Sequence, residues 1–107
     1  MKPLILVLLI STSLNVFSDM ELVKGATVTA IANTNNNEAK FTIWVSGGTG
    51  PCASSSITFP ASASRPEVYE RAYATALMAY ATGDVISAHD YYSDKCYNAA
   101  YIRVSKQ

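Results

Sequence analysis

The sequence predicts a mainly β domain with one helix, in the order β-β-β-α-β-β. Three features lead to this prediction. Short segments alternate apolar and polar residues, one helical pattern lies between the third and fourth of them, and two cysteines bracket the helix. The most economical arrangement of five such strands is an OB-type barrel closed at its bottom by the helix. An open α+β sheet with one packed helix is the alternative.

The first 18 residues have the layout of a secretory signal peptide. An unbroken apolar run covers residues 4–10, and Val16 and Ser18 occupy the −3 and −1 positions of a plausible cleavage site. The apolar run is much shorter than the roughly 20 residues that span a bilayer. We therefore expect residues 1–18 to be removed and residues 19–107 to form one domain without a membrane span. The mature protein is expected to be periplasmic or secreted.

Cys52 and Cys96 are the only cysteines of the chain. Disulfides persist in the compartments that exported proteins reach, so this pair is predicted to form one. Closing a loop of about 45 residues is worth roughly 4 kcal/mol in the chain-entropy model, a large share of a small domain's stability. Two free thiols or a metal site are the alternatives. A metal is disfavoured because the chain has no Cys-x-x-Cys motif and His89 is its only histidine.

The first two strands are predicted to form a hairpin. Residues 23–32 are rich in β-branched and small side chains, which is typical of a strand. Residues 33–37 (NTNNN) form the turn, because Asn tolerates positive φ and bonds its own backbone. In the second strand, residues 41–45, apolar and polar side chains alternate, and Trp44 falls on the polar side.

A glycine-rich loop, residues 47–51, follows the hairpin. It lacks the Gly-Lys-Ser/Thr ending and the directly following helix of a phosphate-binding loop. We therefore expect a flexible connection that gives Cys52 room to reach its partner. Residues 56–59 form a short third strand, which Pro60 ends.

The single helix is predicted to begin at Ser64 and to run to about Ala81, before Gly83 ends it. Ser64 and Glu67 have the spacing of a capping box. Apolar and aromatic side chains recur at the i, i+3, i+4 spacing of a buried stripe: Tyr69, Ala72, Tyr73, Ala76, Leu77 and Tyr80. Such a tyrosine stripe is either core packing or a ligand surface, and core packing is favoured.

The last two strands are predicted after the helix. Residues 85–90 form the fourth strand and residues 96–104 the fifth, with a turn over residues 91–95. By the two-residue period of a strand, Cys96 shares a face with the core residues of the fifth strand. That position suits a buried disulfide.

Composition and motifs disfavour several functions. The formal net charge is +0 and no basic stripe is present, so the phosphate neutralisation that nucleic-acid binding needs is not supplied. Acid–base catalysis is only weakly indicated by His89, Asp90 and nearby Asp94, because no matched nucleophile or second base accompanies them. We expect no cofactor, no metal and no enzymatic activity. A small hydrolase acting through His89 is the least favoured alternative.

Trp44, Tyr91 and Tyr92 are the candidate ligand-binding residues. Alternation places Trp44 on the outer side of its strand, and both tyrosines lie in the turn after the fourth strand. Exposed aromatic rings combine a large contact area with a polar handle, and such platforms bind sugars or protein partners. The alternative for Trp44 is a position beneath the helix, at a bulge that disrupts the alternation.

Three segments resemble the receptor-binding B subunits of subtilase cytotoxin and typhoid toxin, which are pertussis-toxin-like OB domains. They are residues 51–57 (PCASSSI), residues 69–77 and residues 80–86 (YATGDVI). The shared features are a Cys that leads into a short strand, a helix with Leu, Ala and Tyr, and a Tyr-x-Thr-Gly turn. The chain also resembles a group of small uncharacterised exported bacterial proteins, through Gly-Gly-Thr-Gly-Pro-Cys-Ala, Arg-Ala-Tyr and Ala-Thr-Gly in this order.

The toxin resemblance implies a homopentamer that binds sialylated glycans on host cells and carries a separate catalytic subunit. The B subunits place a glycan-contacting Ser just before the second strand, where this chain has Glu38, Ala39 and Lys40. No sugar-binding residue is therefore carried over. The sequence predicts a non-catalytic binding module with a glycan or protein ligand. An exported structural or regulatory protein that contacts an envelope protein is the alternative.

Overall fold

A computed structural model describes residues 20–107, so the predicted signal peptide, residues 1–18, lies outside the described residues. The elements are β1 (Met20–Ala32), β2 (Lys40–Ser46), β3 (Ser56–Pro60), α1 (Pro66–Thr82), β4 (Val85–Asp90) and β5 (Tyr101–Ser105). A short 3-10 turn, Ala61–Ala63, joins β3 to α1. Within residues 20–107, no helix is long and apolar enough to cross a membrane.

The strands form one antiparallel sheet in the order β3-β2-β1-β4-β5. The predicted hairpin is confirmed, since Val28 pairs with Val45 and Ile31 with Ile43. The sheet is open: β3 and β5 are its edges, and no strand ladder joins them in the described part of the chain. The predicted closed barrel is therefore wrong. The alternative, an open sheet with one packed helix, is the observed architecture.

The fifth strand differs most from its prediction. Only Tyr101–Ser105 forms a ladder with β4, whereas Cys96 and Tyr97 form a turn and residues 98–100 belong to no strand. The reason lies in their contacts: Cys96 is held by the disulfide, and the Asn98 side chain reaches back to Asp90 at the end of β4. These anchors hold residues 96–99 away from β4, and the chain returns to it at Ala100, whose N–H donates to the His89 carbonyl at 3.0 Å.

β1 is the central strand and pairs with both β2 and β4. Its register shifts between Val28 and Ala30 against β2, and between Glu21 and Val23 against β4. Bulges of this kind bend a strand and increase its twist. The 13 residues of β1 can therefore serve both halves of a curved sheet.

The glycine-rich loop after β2 is held against β1, so its predicted flexibility is wrong. Lys24 and Thr49 exchange two backbone hydrogen bonds, of 2.9 and 3.0 Å. A Cβ on Gly50 would lie 2.6 Å from the carbonyl oxygen of Leu22, so only glycine permits this approach. These contacts fix the position of the loop, and with it the position of Cys52 at the end of the loop.

The helix packs its small side chains on the sheet. Ala72, Ala76 and Ala79 are its buried residues. Leu77 and Tyr80, which the sequence places in the buried stripe, are exposed instead. The alanines bring the helix backbone close to the sheet, and the larger side chains on either flank are turned outward.

The two ends of α1 differ in how well the sequence predicts them. Gly83 adopts a left-handed conformation (φ 77°) and its N–H bonds to the Ala79 carbonyl, so the predicted helix end is confirmed. The predicted capping box is wrong, because the N-cap is Arg65 and no side chain caps it. Glu67 pairs with the Arg65 guanidinium instead, at 3.0 Å.

The core lies between the sheet and α1, and the disulfide closes one side of it. The largest fully buried apolar side chains are Phe41, Phe59, Leu22, Ile43, Ile57, Ile86 and Val23. Cys52 is fully buried among them and bonds to Cys96, with the two Cα atoms 5.8 Å apart. The predicted disulfide is therefore present.

Candidate functional site

Exposed tyrosines occupy the connection between β4 and β5. We refer to residues 91–100 as the aromatic loop. Tyr92 is 82% exposed, Tyr97 65% and Tyr91 58%. The predicted exposure of Tyr91 and Tyr92 is confirmed, and their role in binding stays a prediction. Tyr97 joins them on a segment, residues 96–99, that is not paired with β4, and no pattern in the sequence indicates this departure.

Asp90, the last residue of β4, is fully buried and holds both ends of the aromatic loop. Its Oδ1 accepts hydrogen bonds from the Tyr92 N–H at 2.9 Å and from the Asn98 amide at 3.4 Å. Its Oδ2 accepts a hydrogen bond from the Ser93 hydroxyl at 2.7 Å. A single carboxylate therefore fixes the course of the backbone that carries the tyrosines.

These donors also decide the charge of Asp90. Burial by itself raises the pKa of the carboxyl group, but hydrogen bonds from Tyr92, Ser93 and Lys95 favour the ionised form and outweigh it. The net result is that the pKa of Asp90 lies below its ordinary value. The aromatic loop is therefore built around a buried negative charge whose oxygens are occupied by donors from the loop itself.

The second half of the aromatic loop is tied to the opposite edge of the sheet. The disulfide joins Cys96 to Cys52, which lies in the connection between β2 and β3. Thr58 of β3 donates its N–H to the Cys96 carbonyl at 2.7 Å and accepts the Ala99 N–H at 3.0 Å. The loop thus connects the β4–β5 side of the sheet to β3, the opposite edge strand.

His89 and Tyr101 lie side by side on β4 and β5, next to the aromatic loop. Their rings meet edge to face at 4.7 Å, and the Tyr91 ring lies 6.4 Å from Tyr101. The His89 Nε2 is 3.5 Å from a Glu21 carboxylate oxygen on β1. Asp90, the predicted neighbour for acid–base work, directs its carboxylate to the loop instead. Among residues 20–107, no group of three or more His, Cys, Asp and Glu side chains is placed to hold a metal ion.

Trp44 lies on the outer side of β2, as its alternation predicts, and is 42% exposed. It pairs with Ala30 of β1, whereas Asp90, at the start of the aromatic loop, pairs with Met20. Ten residues of strand correspond to about 33 Å of chain. None of the ring contacts within residues 20–107 involves Trp44. The structure therefore groups Tyr91 with Tyr92 and leaves Trp44 apart from them.

A second aromatic site lies along the N-terminal half of α1, where the sequence favours core packing. We refer to it as the tyrosine groove. It is an open cavity of about 430 Å³ lined by Asn33, Phe41, Tyr69, Glu70 and Tyr73. Tyr69 and Tyr73 are only partly buried, so both contribute to the core and to a surface. Their four-residue spacing is visible in the sequence, but nothing there places Asn33 beside the helix.

The rings at the base of the tyrosine groove hold one another in place. Phe41 stacks on Phe59 with ring centroids 4.6 Å apart and the planes within 4° of parallel. The rings of Tyr69 and Tyr73 pack on Phe41 at 5.6 and 5.0 Å. Burial, and to a smaller degree the neighbouring Tyr73, raise the pKa of Tyr69 above its ordinary value. A tyrosine hydroxyl is protonated at neutral pH even at its ordinary pKa of about 10, so the Tyr69 hydroxyl can donate a hydrogen bond.

Fold and sites together define a small, disulfide-linked α+β domain that presents aromatic side chains at two places. The chain matches the model of DUF5992, a family of unknown function, over residues 1–106, and it belongs to that family. No curated protein and no solved structure matches the chain significantly.

Proposed function

We propose that the protein is a non-catalytic binding module that acts outside the cytoplasm, with a glycan as ligand and an envelope protein as the alternative. The aromatic loop is the proposed binding surface. The observation that carries the proposal is that Tyr91, Tyr92 and Tyr97 are exposed on a backbone fixed by Asp90 and by the disulfide. Trp44 is a second, separate candidate contact.

The physical argument rests on entropy. Tyrosine supplies a large, rigid and amphipathic contact at low cost in conformational entropy, which is why it dominates many binding loops. A loop that is already ordered loses less freedom on binding than a mobile one. Exposed tyrosines on an anchored backbone are therefore suited to recognition.

We also propose an OB-type relationship for the domain, without a closed barrel. The strand order β3-β2-β1-β4-β5 is the order of an OB fold opened between β3 and β5. The two hydrogen bonds of Thr58 to the aromatic loop lie at this opening. OB folds bind oligosaccharides through one strand face and through the β1–β2 and β4–β5 loops. The aromatic loop is the β4–β5 loop in this comparison, and its position supports a binding role.

Compartment supports the same proposal. The cysteines form a disulfide in the structure, and disulfides are rare in the reducing cytosol. The signal-peptide layout of residues 1–18 is the second reason to expect export. A ligand on a cell surface or in the envelope is therefore the expected target.

The test is a glycan array with the folded, oxidised protein, followed by affinity measurements on variants. We expect Tyr92→Ala to weaken binding by at least tenfold without lowering the melting temperature, because the ring is largely free of protein contacts. Tyr92→Phe, which keeps the ring, is the matched control and should retain most of the affinity. The variant Trp44→Ala tests the second, separate candidate contact, and we also expect it to weaken binding.

The outcomes separate the two ligand classes. A blank array for well-folded protein would remove the glycan version, and specific capture of an envelope protein that Tyr92→Ala abolishes would establish the protein version. Turnover of any hydrolysable substrate that is lost in His89→Ala would overturn the non-catalytic proposal.

Self-association is a further part of the proposal. No charged residue occurs between Ala72 and Thr82 of α1, and Leu77, Met78 and Tyr80 are exposed there. Exposed apolar side chains that lie close together often mark a protein contact. We propose that this face contacts other copies of the chain, as the pentamer implied by the toxin resemblance requires. Light scattering should give a pentamer mass that falls to a monomer in Met78→Glu; a monomeric wild type would contradict it.

A further inference from the structure

We propose that the tyrosine groove is a second binding site, and that it takes an uncharged pyranose ring of a glycan. This site shares no residue with the aromatic loop, so the inference stands independently of the function proposed above.

The shape of the groove favours a flat ring. Phe41 is fixed between Phe59 and the two tyrosines, so the tyrosine rings are held before any ligand arrives. Its volume of about 430 Å³ falls within the range of small-molecule sites. The rings of Tyr69 and Tyr73 are partly buried, and the C–H face of a sugar can pack against their exposed surface.

The polar groups of the groove complete the argument. Within residues 20–107, the side chains of Asn33, Glu70, Tyr69 and Tyr73 make no hydrogen bond or ion pair with another side chain or with the backbone. A carboxylate, a carboxamide and two phenol hydroxyls therefore surround an aromatic surface and have bonds to offer. A sugar ring has one apolar face and a rim of hydroxyls that donate to carboxylates and amide oxygens. These two sets of groups are complementary.

The charge of the groove restricts the class of ligand further. Glu70 is the only charged residue among the five that line the groove. A ligand carboxylate, as in a sialylated glycan, would be repelled by it, whereas sugar hydroxyls would bond to it. An aromatic site with a carboxylate also suits a quaternary ammonium ion when several rings enclose the cation. Here Phe41 contacts both tyrosines directly, which leaves an open surface rather than an enclosed box.

The test measures binding by calorimetry to the full, oxidised protein. The probes are uncharged oligosaccharides of glucose, galactose and N-acetylglucosamine, with sialyllactose and choline as comparisons. We expect at least one uncharged sugar to bind and both comparisons to fail. Glu70→Ala and Tyr73→Ala should each weaken binding roughly tenfold, which corresponds to the loss of one hydrogen bond to a charged group or of one ring contact.

The controls keep the result interpretable. Tyr73→Phe preserves the packing on Phe41 and removes only the hydroxyl, so it should fold normally and lose a few-fold in affinity. Arg103→Ala removes an exposed side chain of β5 that belongs to neither proposed site, so this variant should bind the sugar as the wild type does. Binding that survives Glu70→Ala and Tyr73→Ala, binding lost only in Tyr92→Ala, preference for sialyllactose or choline, or no binding across the panel would each overturn the proposal.

Discussion

The aromatic loop and the tyrosine groove both present tyrosines, but they are held in opposite ways. In the aromatic loop the backbone is anchored by Asp90 and the disulfide, while the rings project into solvent. In the tyrosine groove the rings are anchored on Phe41, and the helix beneath them is held by buried alanines. Polar and covalent bonds thus order the aromatic loop, whereas packing on the apolar core orders the tyrosine groove. A change that removes one kind of anchor should therefore destabilise one of the two surfaces more than the other.

Breaking the disulfide is expected to have the largest effect. Cys52 and Cys96 are separated by 44 positions, and releasing a loop of this length costs roughly 4 kcal/mol of unfolding free energy. For a small domain that lowers the melting temperature by about 15–30 °C. The measurement is a thermal melt with and without dithiothreitol, and the Cys52→Ala/Cys96→Ala protein, which has no bridge to reduce, is the control.

Hydrogen exchange sharpens the same experiment. If the reduced protein stays folded at low temperature, amides of residues 96–100 should lose protection before those of α1, because the bridge anchors the aromatic loop and does not involve the helix. An unchanged melting temperature, or equal loss of protection in both regions, would contradict the division between polar and apolar anchors.

The same division explains what the sequence could predict. Period-two alternation in residues 41–45 and the pairing of two cysteines depend on local pattern and composition, and both predictions are confirmed. The prediction of the fifth strand is wrong from Cys96 to Ala100. The course of these residues depends on hydrogen bonds with Asp90 and Thr58, which are distant in the sequence. Long-range hydrogen bonds leave no periodic signal.

The helix shows a second limit of sequence reasoning. Its position and its Gly83 end follow from local patterns, but its buried stripe does not, since helical spacing alone fits Leu77 and Tyr80 as well as Ala79. The sheet selects the alanines because they permit a close approach. The tyrosine groove was missed for the same reason: Asn33 comes beside Tyr69 only through the sheet and helix packing.

Removing the charge of Asp90 is expected to have an intermediate effect. Asp90→Asn leaves donors from the aromatic loop without their ionised acceptor and should cost about 1–3 kcal/mol at neutral pH. The measurement is urea unfolding followed by far-ultraviolet circular dichroism. Asp94→Asn, an exposed carboxylate of the same loop, is the control and should change stability by less than about 0.5 kcal/mol.

The pH dependence gives the sign of this contribution. The pKa of Asp90 is lowered by folding, so the folded state binds its proton more weakly than the unfolded state. The stabilisation is fully present above the unfolded pKa of about 3.9 and is lost as the pH falls from there through the folded pKa. Asp90→Asn should flatten the acid limb of the stability curve. An acid limb as steep in the variant as in the wild type would assign the effect to other carboxylates.

The smallest expected effect comes from a matched pair of glycines. Gly47 and Gly83 have nearly the same left-handed backbone, with φ of 76° and 77°, and an added Cβ would meet no atom within 4 Å at either. Gly83 ends the helix of the tyrosine groove, whereas Gly47 begins the loop that leads to Cys52. Because space is free at both, Gly47→Ala and Gly83→Ala should each cost only the conformational strain, about 1 kcal/mol. The measurement is the melting temperature, with an expected fall of about 4–8 °C for each.

Reduction turns this pair into a test of the comparison. In the oxidised protein the two variants should be equally destabilised, since the strain at each glycine is local. In reduced protein the loop before Cys52 no longer has to deliver that residue to Cys96, so Gly47→Ala can relax and should cost less than Gly83→Ala. Equal costs in both redox states would mean that the hydrogen bonds of the loop, between Gly47 and Ser54 and between Thr49 and Lys24, fix the Gly47 backbone, and not the bridge. That result would mean that hydrogen bonds, and not the covalent bond, anchor this side of the molecule.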